Sequence, residues 1–262
     1  MSALPRIWLT EQVADHVATV TINHPPANVL TPQGLSGLES TLDDLANNDR
    51  VKVIIITGTG RFFIAGADIR MLAKIGSRPK GKKLALTGQR IFSKIAASPK
   101  PIIAAINGIC LGGGFELALS CHLRLAVEGI QLGLPEVNLG LIPGFGGTQR
   151  LLRLLGQSKA TEMILTGVPL SVEDGKTYGL ISEVFSDKDL MPQAIGLAGR
   201  IASKSQSAVR AALQAIQRGS ELKLREGLLV EATLFGELCE SEDKQEGLAA
   251  FLEKRTPHFK EL

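Results

Sequence analysis

Asn107-Gly108-Ile109-Cys110-Leu111-Gly112-Gly113-Gly114-Phe115-Glu116 joins an apolar run to a helix-permissive one through three consecutive glycines. Before it runs Pro101-Ile102-Ile103-Ala104-Ala105-Ile106, apolar throughout; after it Phe115 to Cys121 is apolar and helix-permissive. A strand without polar alternation is covered on both faces, as in a parallel sheet. Three glycines ahead of a helix let backbone approach a ligand, because no Cβ stands in the way. The unpaired N–H groups of that helix start point outward, where they can meet an anion or an oxygen gaining negative charge. A helix beginning near Gly113 sets the Gly113 N–H and the Glu116 carboxylate at one mouth. Read alone, the same residues also suit a packing turn followed by a glutamate that complements the helix dipole.

Working outward, Val51-Lys52-Val53-Ile54-Ile55-Ile56-Thr57-Gly58 has the same buried-strand character and feeds a second glycine loop, Arg61-Phe62-Phe63-Ile64-Ala65-Gly66-Ala67-Asp68. Strand, glycine loop, helix and strand again imply repeated β/α units with right-handed crossovers. Loops at the carboxyl ends of neighbouring parallel strands open on one crevice. Backbone N–H donors from Ala67 and Gly113 are thereby expected to converge on one carbonyl oxygen. A second glutamate, Glu136, lies in Leu134-Pro135-Glu136 just before Gly140-Leu141-Ile142-Pro143-Gly144. It gives Glu116 a partner for acid/base work in a chain with few other candidates.

Toward the N-terminus, Ile7 to Gln12 and His16 to Asn23 read as a hairpin, the second run alternating along its length. Thr31-Pro32 is a helix start, with a capping residue and proline at the first helical position, and Leu35, Leu38, Leu42 and Leu45 extend it to about residue 47. Beyond Thr148 helices dominate, with a capping box at Ser171-Val172-Glu173-Asp174 and a β-like run from Leu180 to Phe185. From about Asp189 the chain is helical and amphipathic, its clearest face being Leu224, Leu228, Phe235 and Leu238. No Pro/Ser-rich linker precedes it, so it is expected to dock. The expected division is 1–190, a core bearing the site, and 191–262, a helical region.

At 262 residues and 44% hydrophobic content the chain can bury a large core. With 29 basic and 26 acidic residues the net charge of +3 offers no footprint for nucleic acid or a membrane surface. Arg78-Pro79-Lys80-Gly81-Lys82-Lys83 is the one local excess of cations, expected as a solvated loop able to add charge near phosphates. Three cysteines without CxxC spacing argue against a disulfide or zinc framework, and a cytoplasmic setting is expected. The glycine runs match neither GxxxxGK[ST] nor GxGxxG.

Taken together, Ala65-Gly66-Ala67-Asp68-Ile69, Asn107 through Gly112-Gly113-Gly114-Phe115-Glu116-Leu117-Ala118, Pro135-Glu136 and Gly140-Leu141-Ile142-Pro143-Gly144-Phe145-Gly146-Gly147-Thr148-Gln149-Arg150 closely resemble the crotonase superfamily, and within it the enoyl-CoA hydratases. The resemblance extends over nearly the whole chain, to Ala249-Ala250-Phe251-Leu252-Glu253-Lys254-Arg255. It implies an α/β fold, a crotonase-like spiral of ββα units with a C-terminal helical extension, assembling as trimers that pair into hexamers. It implies an acyl-CoA substrate with no separate cofactor, since coenzyme A is part of the substrate, and no metal.

By that resemblance Ala67 and Gly113 supply an oxyanion hole for a thioester carbonyl. Glu116 mainly activates water and Glu136 mainly moves a proton at Cα, so that water adds across the 2,3 double bond of a trans-2-enoyl-CoA. Coenzyme A is expected along Ala65, Asp68, Ile69, Arg70 and Gly112, with Phe251 and Lys254 reaching a neighbouring subunit's coenzyme. The acyl pocket is expected around Met71 to Ile75 and Phe92. His122 stands where relatives commonly carry an acid and reads as structural, and Cys110 as a buried, inert thiol. The alternatives are an isomerase or another crotonase-type lyase or hydrolase, and beyond these a non-catalytic RNA-binding relative.

Overall fold

A computed structural model describes residues 9–260, with the side chains of residues 9–11 outside the description. Residues 7 and 8 of the first expected strand lie outside the described residues. The remainder forms β1 (Leu9–Ala14), paired antiparallel with β2 (Val17–Ile22). Helix α1 (Pro32–Ala46) starts as expected: the Thr31 side chain accepts from the Gly34 amide, and Leu35, Leu38, Leu42 and Leu45 are buried.

The spiral follows. Strands β3 (Val53–Gly58) and β4 (Phe62–Ile64) lead to the short α2 (Ile69–Leu72) and to α3 (Arg78–Ala96). Strands β5 (Ile102–Ile106) and β6 (Ile109–Leu111) lead to α4 (Gly113–Ser120); β7 (Leu123–Val127) and β8 (Gln131–Gly133) lead to a 3-10 helix (Pro135–Leu139) and α5 (Gly147–Thr166). Each turn places its first strand in a six-stranded sheet and its second in a four-stranded sheet, the latter closed by β9 (Leu170–Ser171). After α6 (Val172–Thr177), β10 (Glu183–Phe185) pairs parallel with β7 at the edge of the larger sheet.

The unbroken apolar character of β3 and β5 has a direct cause. On alternate positions Ile54, Ile56, Ala104 and Ile106 enter the core between the two sheets. Val53, Ile55, Ile103 and Ala105 point to the opposite face, beneath Leu190, Ala194 and Ala198 of α7 (Asp187–Ala202). Both faces of the strands are thereby dry, each large side chain contributing about 1.5–3 kcal/mol of burial. The division expected at residue 190 falls inside this helix.

Helices α8 (Gln206–Gly219) and α9 (Leu224–Cys239) pack on each other, and α10 (Glu242–Leu252) follows. Leu224, Leu228 and Phe235 of the expected apolar face are exposed in the single chain. Gln217 on α8 ties this region back to the core through the Ala96 carbonyl and the His122 ring. The Arg78–Lys83 segment is a correction: it forms the opening turns of α3 rather than a loop, with Ser77 at the N-cap and proline at the start. Its cations Arg78, Lys80, Lys82 and Lys83 remain exposed.

Candidate active site

The two glycine loops and the 3-10 helix meet at one cavity of about 810 Å³, lined by Ala65, Gly66, Ala67, Gly112, Gly113, Glu116 and Glu136 among others. Gly66 and Gly112 have φ of 121° and 52°, a region that side chains avoid. Gly112 also backs onto Glu136: a Cβ there would lie 3.1 Å from Glu136 Oε1. At Gly114 a Cβ would stand 2.2 Å from the Ile64 carbonyl oxygen, so this glycine sets how closely α4 seats on β4.

Peptide geometry fixes where the two expected donors point. The Gly66 carbonyl accepts from the Leu30 amide at 2.8 Å, and a trans peptide directs the Ala67 N–H, which shares that plane, the opposite way. The Gly112 carbonyl accepts the first helical bond of α4 from the Glu116 amide at 2.9 Å, so the Gly113 N–H points outward from the helix start. Both residues line the cavity.

Glu116, in the first turn of α4, is buried to 2% exposure. Its Oε1 accepts from the amides of Phe145 at 2.8 Å and Gly147 at 2.7 Å. Gly147 opens α5, so the carboxyl sits at a helix N-terminus that favours its anion. Burial outweighs this help. Desolvation, assisted by the charge of Glu136 and opposed by the two amides and by Arg150, pushes its pKa up to about 7. Glu136 is also raised by burial, and its Oε2 is buried without a hydrogen-bond partner among the described residues. Both carboxyls line the same cavity, and burial makes each of them resist ionisation.

The other expected residues divide. Ile69, Leu72 and Ile75 line the cavity. Asp68 caps α2 through the Arg70 amide, and neither its side chain nor that of Arg70 is part of the lining. Phe251 is 81% exposed and, like Lys254, lies away from this chain's own cavity. Phe92 is a correction: it is wholly buried in the core, edge-on to Phe145 with ring centroids 5.6 Å apart, rather than part of the pocket. His122 Nδ1 accepts from the Ile102 amide at 2.9 Å, a structural contact. Burial pushes the Cys110 thiol well up, as suits an inert group.

Sequence reasoning did not single out the Phe145 and Gly147 amides, Arg150 or Glu221, all at the cavity or its carboxyl. The first three carried a usable signal. Gly144-Phe145-Gly146-Gly147 ahead of a helix is the same glycine-then-helix pattern as Gly112-Gly113-Gly114. Glu221 carried none, because it arrives from the α8–α9 turn. Among the described residues no group of His, Cys, Asp and Glu has the arrangement of a metal site, and no helix is long and apolar enough to cross a membrane.

A family model described as Enoyl-CoA hydratase/isomerase matches residues 12–262. The chain is 45% identical over 249 residues to a probable enoyl-CoA hydratase of Bacillus subtilis (strain 168), covering 95% of this chain and 96% of the relative. It is 41% identical to 2,3-dehydroadipyl-CoA hydratase of Escherichia coli (strain K12), covering 93% and 95%. Among solved structures, an enoyl-CoA hydratase from Bacillus anthracis superposes with a TM-score of 0.92 at 38% identity, covering 97% and 99%.

Proposed function

The chain belongs to the enoyl-CoA hydratase/isomerase family, and we propose that it is a hydro-lyase adding water across the 2,3 double bond of a trans-2-enoyl-CoA to give a 3-hydroxyacyl-CoA. The observation that carries the reading is one cavity lined by two carboxyls with raised pKa values and by two outward-facing amides.

The thioester carbonyl oxygen sits between the Ala67 and Gly113 N–H groups. As water attacks C3, the π electrons move through C2 onto that oxygen, and the amides stabilise the enolate. Glu116, poised near neutrality, takes the proton from the attacking water. Glu136 delivers its proton to C2 as the enolate collapses. Its unpartnered Oε2 and raised pKa suit a group that carries a proton into the site. One water is consumed, and the carboxyl pair ends with the same single proton, now on Glu116. No step calls for a metal or a cofactor beyond the coenzyme A of the substrate.

Ala65, Ile69 and Gly112 supply the near wall for coenzyme A, with Asp68 and Arg70 at its rim. The exposed Phe251 and Lys254 serve a neighbouring subunit's coenzyme. The exposed Leu224, Leu228 and Phe235 fit burial in a homotrimer or a dimer of trimers. Within the family an isomerase needs one carboxyl to carry a proton between carbons, whereas the second carboxyl here has water to activate, which favours hydration.

The test is loss of the conjugated-thioester absorbance of crotonyl-CoA on adding purified protein, with product mass rising by one water. Glu136→Gln should abolish it in a folded protein. Inactivity of the unaltered protein on short, medium and branched enoyl-CoAs would remove the proposal, and product of unchanged mass would identify an isomerase.

A further inference from the structure

We infer that Arg150 is a positioning residue for Glu116: its guanidinium bridges α3 to the Phe145–Gly147 turn and fixes the two amides that hold the carboxyl. The inference rests on the reading of Glu116 as the carboxyl that activates water.

Arg150 Nη1 donates to the Phe145 carbonyl at 2.9 Å, and Nη2 donates to Ser93 Oγ on α3 at 3.2 Å. Between the anchored carbonyl and the helix lies Gly146, with φ of 109°. A Cβ there would stand 2.2 Å from Arg150 Nη1, so the guanidinium occupies the space a side chain would need. The amides on either side of Gly146, those of Phe145 and Gly147, donate to one oxygen of Glu116. Two donors converging on a single oxygen require the turn to hold both N–H vectors at once, a condition that relaxes if the turn rotates.

The other side of the turn is held by packing. The Phe145 ring fills the space left by Gly88 and meets Phe92 edge-on. Arg150 anchors the polar side through the Phe145 carbonyl, next to the Gly144 carbonyl, which accepts from Gln89 Nε2 at 2.9 Å. A planar fork can satisfy two acceptors set at an angle, which an ammonium on a flexible stem does poorly. Its charge acts in the same direction, since it favours the Glu116 anion. The other ionisable groups facing this pair are Glu136, Arg153, Cys121 and, from the α8–α9 turn, Glu221.

Three variants separate the contributions. Arg150→Met removes both the fork and the charge, Arg150→Lys retains the charge, and Ser93→Ala, at an exposed residue, removes only the outer anchor. The Glu116 titration is followed directly by NMR of 13C-labelled glutamate, its resonance identified by its loss in Glu116→Gln. The acidic limb of kcat for crotonyl-CoA is followed in parallel.

In Arg150→Met the Glu116 titration and the acidic limb are expected to move to higher pH, and kcat to fall on the order of 100-fold with KM little changed. Arg150→Lys is expected to restore the titration but not kcat, and Ser93→Ala to lower kcat less without moving the titration. An unmoved Glu116 resonance in folded Arg150→Met overturns the inference, as does a loss of activity that only follows loss of folded protein. If Arg150→Met does not fold, an unchanged kcat in both Arg150→Lys and Ser93→Ala overturns it. An unaltered protein inactive on every enoyl-CoA removes the hydratase reading instead, and the NMR titration still decides whether Arg150 governs Glu116.

Discussion

Glu116 and Gly147 lie thirty-one positions apart in sequence and 2.7 Å apart in space, the carboxyl of one helix accepting from the first amide of another. The carboxyl is held out of water with a donor at a helix N-terminus, and burial outweighs that donor to leave its pKa at about 7 rather than in the ordinary carboxylate range. The turn that carries Gly147 thus tunes the Glu116 carboxyl as well as covering it.

A consequence appears in stability. The folded pKa of Glu116 is raised from 4.5 to about 7, so the folded state binds the extra proton between those values. Stability is full below the unfolded pKa and declines as pH rises through the folded one. Glu116→Gln should therefore stabilise the protein at pH 8 by about 3 kcal/mol and change little at pH 4. Denaturant melts at the two pH values check this, and equal effects at both would show that ionisation is not the cause.

Gly113→Pro tests the proposed oxyanion hole at the backbone. Proline is tolerated at the first helical position, where the N–H makes no helical bond, and it deletes the donor aimed into the cavity. A Cβ at Gly113 would stand 3.1 Å from Leu30 Cδ1, so the expected result is a modest fall in melting temperature with kcat/KM reduced by about 100- to 1000-fold in protein that remains folded. Retained activity would mean the Gly113 amide does not meet the thioester oxygen.

Gly114→Ala acts on the fold. The added methyl would stand 2.2 Å from a backbone oxygen of β4, which no side-chain rotation relieves. A loss of about 3 kcal/mol or more, at the upper end of overpacking costs, is expected in denaturant unfolding. A near-neutral result would show that α4 can shift away from β4 freely.

His122→Ala should separate support from chemistry. The ring accepts from the Ile102 amide and meets Gln217, and burial holds its pKa below the usual histidine value. Its stabilisation is therefore present above the unfolded pKa and fades as pH falls. The variant is expected to lose about 1–3 kcal/mol at pH 8 and less at pH 5, with kcat unchanged. A large fall in kcat in folded protein would place His122 in the proton path.

Much of this was legible in the residues. The apolar runs at 53–58 and 102–106 announced strands covered on both faces, Thr31-Pro32 announced a helix start, and the glycines at 112–114 announced close backbone approach. These signals are local, since periodicity, capping and the missing Cβ act within a few residues. The Arg78–Lys83 segment was read from its charge and glycine, yet the helix that continues to Ala96, with Gly88, Ile91, Phe92 and Ile95 against the core, carries it into α3. Phe92 shows the same limit, because a phenylalanine at helical spacing suits a pocket or a core until its neighbour Phe145 is in place.

Local residue patterns were enough to set the alternation of strand, glycine loop and helix, and to supply two glutamates and two glycine-flanked amides with which to build a site. It took the folded chain to close the Phe145–Gly147 turn over Glu116, to leave Glu136 Oε2 without a hydrogen-bond partner among the described residues, and to brace the turn with Arg150 from α3. The reason is physical. Backbone preferences are set by adjacent residues, whereas the ionisation of a carboxyl is set by the water removed around it, and that water is displaced by segments that meet only when the chain has folded.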